Sequence, residues 1–297
     1  MSGQDIKNEQ HPKLTNVVLV DRSGLRSLNY RPTFFTYLKE LWENRYFMVA
    51  YAQSSSFGDG RGTFFGRLWM LLNPAFQIAI YALIFGVVLR THRGIDNFVG
   101  FLTIGVVFFR FLIGGINGGS SLIQRNRNLI GSFQFPRATI PISNSIHAAL
   151  DNLIPGLVAI GAALLFQWNK GISWTIILVP ILFIMMHVWA AGAMMITARF
   201  TAFFPDGRNF LRLVTQGLFF ISGVFFNLDR FSGSTALSTA MQINPVYQFL
   251  HALRQCTLDG VVPSIVQWLY LSGWTLLLFV FGLVYFWEAE ERYAHIK

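Results

Sequence analysis

The sequence predicts an all-α, polytopic membrane protein, and three observations carry that prediction. Hydrophobic residues make up 53% of the 297-residue chain and charged residues only 12%, with a mean hydropathy of +0.47. Soluble domains carry about twice that charged fraction, so there are too few polar side chains to cover a water-facing exterior. The apolar residues are gathered into runs near the roughly 20 residues that cross a bilayer at about 1.5 Å rise each. The ten-residue alternation of a membrane barrel is absent from the pattern, and backbone polar groups in hydrocarbon are then satisfied only inside helices.

Six runs qualify as spans: 64–89, 98–123, 142–166, 174–197, 210–226 and 264–287. The basic residues between them set an orientation. With the N terminus inside, nine Lys/Arg fall in 1–67, three in 124–140, three in 199–212 and two after Trp287. The outer segments hold five, and Arg110 sits within a span. This excess on one side places both termini in the cytoplasm and the chain in the cytoplasmic membrane. The formal charge of +9 therefore reads as topology and attraction to anionic lipid, not as a nucleic-acid site.

The expected organisation runs from a flexible cytoplasmic segment at 1–33 through an amphipathic helix and linker at 34–63. A six-helix transmembrane domain follows at 64–290, with a loop at 124–140 and a helical pair at 228–262, and a tail at 291–297 closes the chain. The first 63 residues lack the pattern of a cleavable signal peptide. Phe34, Phe35, Leu38, Leu41, Trp42, Phe47 and Val49 recur near helical spacing, with Lys39, Glu40, Glu43, Asn44 and Arg45 between them. That fits a helix lying in the membrane interface, or a small soluble helix packed on a loop. Gly58-Asp59-Gly60-Arg61-Gly62 supplies a flexible bend.

Residues 228–262 are too apolar for an ordinary outer loop and too interrupted to span. Helices at 236–243 and 246–258 would break at Asn244-Pro245, because proline disfavours helix at the residue before it. A re-entrant pair and a hairpin resting on the outer surface both satisfy the pattern.

In the loop after the second span, apolar Leu129, Ile130, Phe133 and Phe135 lie among Arg125, Arg127 and Arg137. Such a patch suits a protein docking site, or the interfacial ends of two spans. Arg110 and Asp151 are the charges nearest mid-membrane, on consecutive antiparallel spans. Charges there are paired or line water, so the two are expected to form an ion pair, with a substrate-headgroup or gating role as the alternative. Gly114, Gly115, Gly118, Gly119, Ser120 and Ser121 make a small-residue surface for close helix packing.

Several chemistries lack their residues. The phosphate-cradling Gly-x-x-x-x-Gly-Lys-Ser/Thr loop is missing and none of the five lysines follows a glycine, so ATP has no ordinary site. The single cysteine, Cys256, closes no disulfide within the chain, and no Cys/His spacing suggests a metal. Neither Asp-x-Asp nor His-Glu-x-x-His occurs. No catalytic, cofactor-binding or metal residues are therefore expected.

The stretch Leu68-Trp69-Met70-Leu71-Leu72-Asn73-Pro74, the loop residues Arg127-Asn128-Leu129-Ile130 and Phe135-Pro136-Arg137, and the late Asn244-Pro245 together resemble type-2 ABC exporter permeases. Within that family they are similar to the group that exports O-antigen, teichoic acid or cell-wall galactan. The resemblance covers about 34–290. It implies that Asn126, Arg127, Leu129, Ile130, Phe133, Phe135 and Arg137 dock on a separate ATPase subunit, present in two copies and holding the ATP and Mg. It also implies an interface helix at 34–51, an outer gate around Asn244 and Pro245, and pore walls from the first and fifth spans. Trp69, Phe76, Tyr81, Phe85, Phe219, Phe220, Phe225 and Phe226 are then candidates to line a channel, where aromatic faces stack on sugars, or else ordinary packing residues. A homodimer is the simplest way to enclose a pathway. The implied cargo is a lipid-linked polysaccharide, with a cell-wall galactan as one candidate within that class. The alternatives are ABC-2 export of a lipid or drug, and a proton-coupled transporter relaying through Arg110, Asp151 and His187.

Overall fold

A computed structural model of the chain describes residues 32–58, 97–167, 171–226 and 235–296, with isolated positions between 69 and 84. The regular structure among them is helical: α1 (Phe34–Glu43), α2 (Arg45–Gly58), α3 (Phe98–Gly119), α4 (Leu122–Arg125), α5 (Arg127–Ser132), α6 (Thr139–Leu165), α7 (Val179–Phe203), α8 (Gly207–Ile221), α9 (Thr235–Ile243), α10 (Pro245–Arg254) and α11 (Ile265–Glu288). A 3-10 turn, Trp174–Leu178, leads into α7, and another, Glu290–His295, follows α11.

Four of the six expected spans are long apolar helices: Phe98–Gly119, Thr139–Leu165, Trp174–Phe203 and Ile265–Glu288. Their starts follow local chemistry. Asn97 accepts the Gly100 N–H at 2.8 Å and Ser264 accepts that of Gln267 at 3.2 Å, each satisfying an orphan donor of a first turn. Pro180 sits in the first turn of α7, where no N–H is needed. The expected span 64–89 lies outside the described residues apart from isolated positions.

The fifth expected span needs correction. α8 is 15 residues long and ends at Ile221, about 22 Å at 1.5 Å per residue and short of a full crossing. Its end is fixed by tertiary contacts. Gly223 takes φ +63, the left-handed conformation that favours glycine, and the Ser222 hydroxyl accepts from Asn244 at 2.9 Å. Val224, Phe225 and Phe226, apolar enough to extend the run in sequence, lie beyond this turn.

The expected single amphipathic helix is two, divided at Asn44. Tyr37, Leu41, Met48 and Ala52 are buried against the bundle, while Phe35, Trp42, Tyr46 and Val49 form a second apolar stripe pointing outward.

α7 lies at the centre, flanked by α3 and α11. The close approach depends on missing side chains: a Cβ on Gly115 would overlap the backbone of Ala190, and Gly192 and Gly282 meet backbone to backbone where α7 crosses α11. Gly115 belongs to the expected small-residue surface, which serves packing here. One apolar core joins α3, α7 and α10. A second gathers at one end of the bundle, where α1, α4, α5 and the last turn meet around Tyr37, Ile123, Ile130, Phe286 and Tyr293. This is the loop end. At the far end the Gln167 side chain donates to Leu258 O at 2.6 Å and the Thr175 hydroxyl to Cys256 O at 2.7 Å.

Candidate functional site

At the loop end, the expected docking residues divide by direction. Arg127, Asn128, Gly131, Ser132 and Gln134 are exposed, and Phe133 is 66% exposed. Ile130, expected to bury against a partner, is only 4% exposed because it faces the chain's own second core, where Leu129 also packs. Phe135 packs on Phe47 with ring centroids 5.9 Å apart. Asn126 accepts the Tyr51 hydroxyl at 3.0 Å and donates to Leu122 O at 2.8 Å, tying the loop to α2. The outward surface is thus Phe133 with a basic and polar surround.

Arg137, one of the expected docking residues, is bound within the chain to Glu290. Glu290 Oε1 accepts the Arg137 backbone N–H at 2.7 Å and lies 3.6 Å from its guanidinium, which also donates to Glu290 O at 2.7 Å. Oε2 accepts the Tyr37 hydroxyl at 2.8 Å, and that hydroxyl oxygen accepts the Ala138 N–H at 2.9 Å. One buried carboxylate therefore joins α1, the loop and the turn after α11. Burial pushes Glu290 up to about 7, against the opposing pull of the Arg137 hydrogen bond and charge. Burial, then the Glu290 charge, holds the Tyr37 phenol well above its usual range. The sequence reading missed Tyr37 and Glu290. The available signal was an acidic run, Glu288-Ala289-Glu290-Glu291, on the side of the membrane where basic residues collect.

Between α3 and α8 lies a groove of about 390 Å³, lined among the described residues by Val106, Phe109, Arg110 and Ile113 from α3 and Arg212, Thr215, Gln216 and Phe219 from α8. Each set has the i, i+3, i+4, i+7 spacing of one helix face. The helices are antiparallel, and Phe109 meets Phe219 at 5.1 Å. Aromatic contacts continue from Phe219 to Phe225 at 4.9 Å, to Phe220 at 5.7 Å, and from Phe225 to Phe226 at 6.1 Å. Of these channel candidates Phe225 is buried and Phe220 exposed. Trp69 and Phe76 are exposed and lie edge to face at 6.4 Å, while Tyr81 and Phe85 fall outside the described residues.

Arg110 faces the α8 groove, whereas Asp151 has His147 Nδ1 at 3.2 Å, one turn away on α6. His187 Nδ1 lies 2.8 Å from Phe183 O, an acceptor only, so that nitrogen carries the proton and Nε2 accepts from Asn152 at 3.1 Å. Nδ1 is committed within α7, and Nε2 serves the α6–α7 contact.

The helix break at Asn244-Pro245 is present. The Asn244 side chain accepts the Val246 N–H at 3.0 Å and Pro245 opens α10. α10 packs into the first core through Phe249, Leu250 and Leu253. Its last residue, Arg254, is 5% exposed and donates to Phe101 O, Gly223 O and Val224 O at 2.8 to 3.3 Å. Its guanidinium also stands 3.4 Å over the Phe101 ring. Arg254 pins the hairpin to α3 and to the turn after α8, a role that counting it as an outer-loop charge concealed.

The four long apolar helices define a multi-pass membrane protein, with a short helical loop at one end and a helical pair before its last span. The ABC-2 type transporter family matches residues 59–258, and the chain belongs to that family. Among curated proteins it is similar to the O-antigen export system permease protein RfbA of Myxococcus xanthus, 23% identical over 261 residues covering 86% of this chain and 97% of the relative. A protein of the same name from Klebsiella pneumoniae is 25% identical over 237 residues, covering 80% of this chain and 89% of its own length.

Proposed function

We propose that this chain is the transmembrane subunit of an ATP-driven exporter that moves a lipid-linked polysaccharide, a cell-wall galactan being the specific candidate, across the cytoplasmic membrane. The observation that carries this reading is the family match over 59–258 together with near full-length similarity to O-antigen export permeases. The energy comes from two copies of a separate ATPase subunit that hold ATP and Mg, and two copies of this chain enclose the path. The loop end faces the cytoplasm with both termini. Phe133 and its basic surround form the docking surface. The outward stripe of α1 and α2 lies in the membrane interface, where Arg45 sits 4.3 Å from the Tyr46 ring and 5.1 Å from that of Trp42. The α9–α10 pair, with Asn244 and Pro245 at its bend, forms a re-entrant outer gate, supported by the burial of α10 in the bundle core.

The test is reconstitution. The purified chain alone should hydrolyse no ATP. With its ATPase subunit, it should move lipid-linked glycan into proteoliposomes in an ATP-dependent, protonophore-insensitive way. Depleting the chain should leave that glycan on the cytoplasmic leaflet. Hydrolysis by the chain alone, or glycan movement driven by a proton gradient without ATP, overturns the reading.

A further inference from the structure

We propose that the break between α3 and α4 at Ser120-Ser121 is a two-state joint, bent in this structure and able to close into one continuous helix, with Arg125 and Thr201 holding it bent. Ser121 takes φ +62 and ψ +18 and is, among the described residues, the one non-glycine residue with positive φ. That left-handed conformation crowds Cβ against the backbone and is unfavourable for any residue with a side chain. Ser120 before it is extended, at φ −59 and ψ 117. Helix resumes at once on the other side, where the Arg125 N–H donates to Ser121 O at 3.0 Å and the Asn126 N–H to Leu122 O at 3.2 Å.

The groups that a continuous helix would pair with one another are paired here with substitutes. In an unbroken helix the Leu122 and Gln124 N–H groups donate to Gly118 O and Ser120 O, and the Ser121 N–H to Asn117 O. In the bent state the Arg125 guanidinium donates to Gly118 O at 3.1 Å and to Ser120 O at 3.2 Å. The Ser121 N–H goes to the Thr201 hydroxyl at 3.1 Å, and Asn117 O takes the Ser120 N–H. The Gln124 amide adds a bond to Thr201 O at 2.8 Å. Satisfaction is incomplete: Gln124 Oε1 is buried without a partner, and Ser121 gives α4 no side-chain cap. A strained residue, an orphaned acceptor and an uncapped helix start persist together only where surrounding contacts impose them. Burial of Leu122 and Ile123 in the second core makes the bent state the resting one.

Placement gives the joint a use. A Cβ on Gly119 would overlap Met194 O, so α3 is fixed against α7 up to the break and rearrangement is confined to the two serines. Beyond them α4 leads directly into α5 and the exposed Phe133. Closing the joint therefore swings α4 and α5 relative to α7, and a contact at the loop that draws Arg125 off its two carbonyls favours closing. What drives the joint rests on the reading of the loop end as the ATPase docking surface; its two states rest on the geometry alone.

The experiment measures distances by double electron–electron resonance on the full-length chain in nanodiscs. Spin labels are placed at Asn128→Cys and Asn209→Cys, both exposed, in a Cys256→Ser background. The chain alone should show one dominant distance. Ser121→Val, a β-branched residue that resists positive φ, and Arg125→Gln should each raise a second distance about tenfold in population. Adding the ATPase subunit should shift the unsubstituted joint to that second distance. Ser121→Gly, which relieves the strain of the bend and weakens a continuous helix, should resist the shift about tenfold. Arg125→Gln, at an exposed side chain, keeps the test decisive if Ser121→Val folds poorly. A single unchanged distance in both folded variants overturns the two-state joint, and so does an equal response from Ser121→Gly and Ser121→Val. Populations that respond to the substitutions but not to a bound ATPase subunit overturn its drive by docking. Because the substitution series is read on the chain alone, it fails separately from the reconstitution test of the exporter.

Discussion

Removing the carboxylate of Glu290 should unfasten the loop end, while neutralising it should not. Glu290→Ala leaves the Tyr37 hydroxyl and the Arg137 N–H without their acceptors, and each orphaned buried group costs about 1–3 kcal/mol. It also strips the counter-ion from a mostly buried guanidinium, and breaking a buried pair costs about 3–5 kcal/mol in all. Glu290→Gln keeps the shape and one acceptor oxygen. Because burial raises the carboxyl to about 7, much of the protein already holds a neutral side chain there at neutral pH, so the amide should cost less than about 1 kcal/mol.

The pH dependence follows from the same shift. The folded state holds the Glu290 proton up to about 7, whereas the ordinary value is 4.5. Between those limits the unfolded state has released a proton that the folded state keeps. Stability therefore falls as pH rises through this window, by about 3 kcal/mol in total at about 1.36 kcal/mol per unit. Glu290→Gln should lack that component. Thermal unfolding midpoints of the detergent-purified chain, followed by tryptophan fluorescence at pH 5, 6, 7 and 8, test both claims. The reasoning is refuted if Glu290→Ala is as stable as Glu290→Gln, or if the wild-type midpoint relative to Glu290→Gln rises across that window.

The loop should separate docking from folding: Phe133→Asp is expected to abolish pull-down by the ATPase subunit with an unchanged midpoint. Ile130→Asp, at a side chain only 4% exposed, should lower stability by several kcal/mol, since burying a charge costs far more than leaving it wet. Arg254→Met removes donors from three backbone carbonyls, at about 1–3 kcal/mol for each acceptor left dry, and should expose the α9–α10 segment to limited proteolysis before the rest of the chain. Gly192→Leu places a side chain where Gly192 meets the backbone of α11; a sharp fall in folded yield, by fluorescence-detected size exclusion, is expected, and wild-type yield would show that α7 and α11 are not in direct backbone contact.

Four spans were legible because length and hydropathy alone select a bilayer-crossing helix, and the break at Asn244-Pro245 was legible because proline acts on its neighbour locally. The end of α8 was not, since Ser222 and Gly223 turn the chain through bonds from Asn244 and Arg254, more than 20 residues later. Periodicity likewise gave an amphipathic α1–α2 but not its polarity. Tyr37, absent from the apolar residues first assigned to that face, is its most buried member because Glu290, 253 positions away, supplies a partner for its hydroxyl. Ile130 was legible as apolar and not as inward-facing, since direction depends on the core that α1 and the last turn complete.

The same long-range contacts suggest how the two ends of the bundle communicate. At the loop end, Glu290 binds together α1, the end of the loop at Arg137 and the turn after α11, so a push on the exposed Phe133 surface is passed beyond the loop to the elements on either side of it. α11 meets α7 through Gly192 and Gly282, and α7 meets α3 through Gly115; contacts without side chains between backbones leave little compliance. α3 carries Arg110 and the wall of the groove, and its Phe101 carbonyl is held by Arg254 from the hairpin. A displacement at Phe133 therefore has a continuous packed route to the groove and then to the α9–α10 pair. That route makes a specific demand: Glu290→Ala, chosen at a temperature where the chain stays folded, should retain ATPase binding yet lose export per ATP hydrolysed. Full coupling in that variant would mean that force enters the bundle by another path.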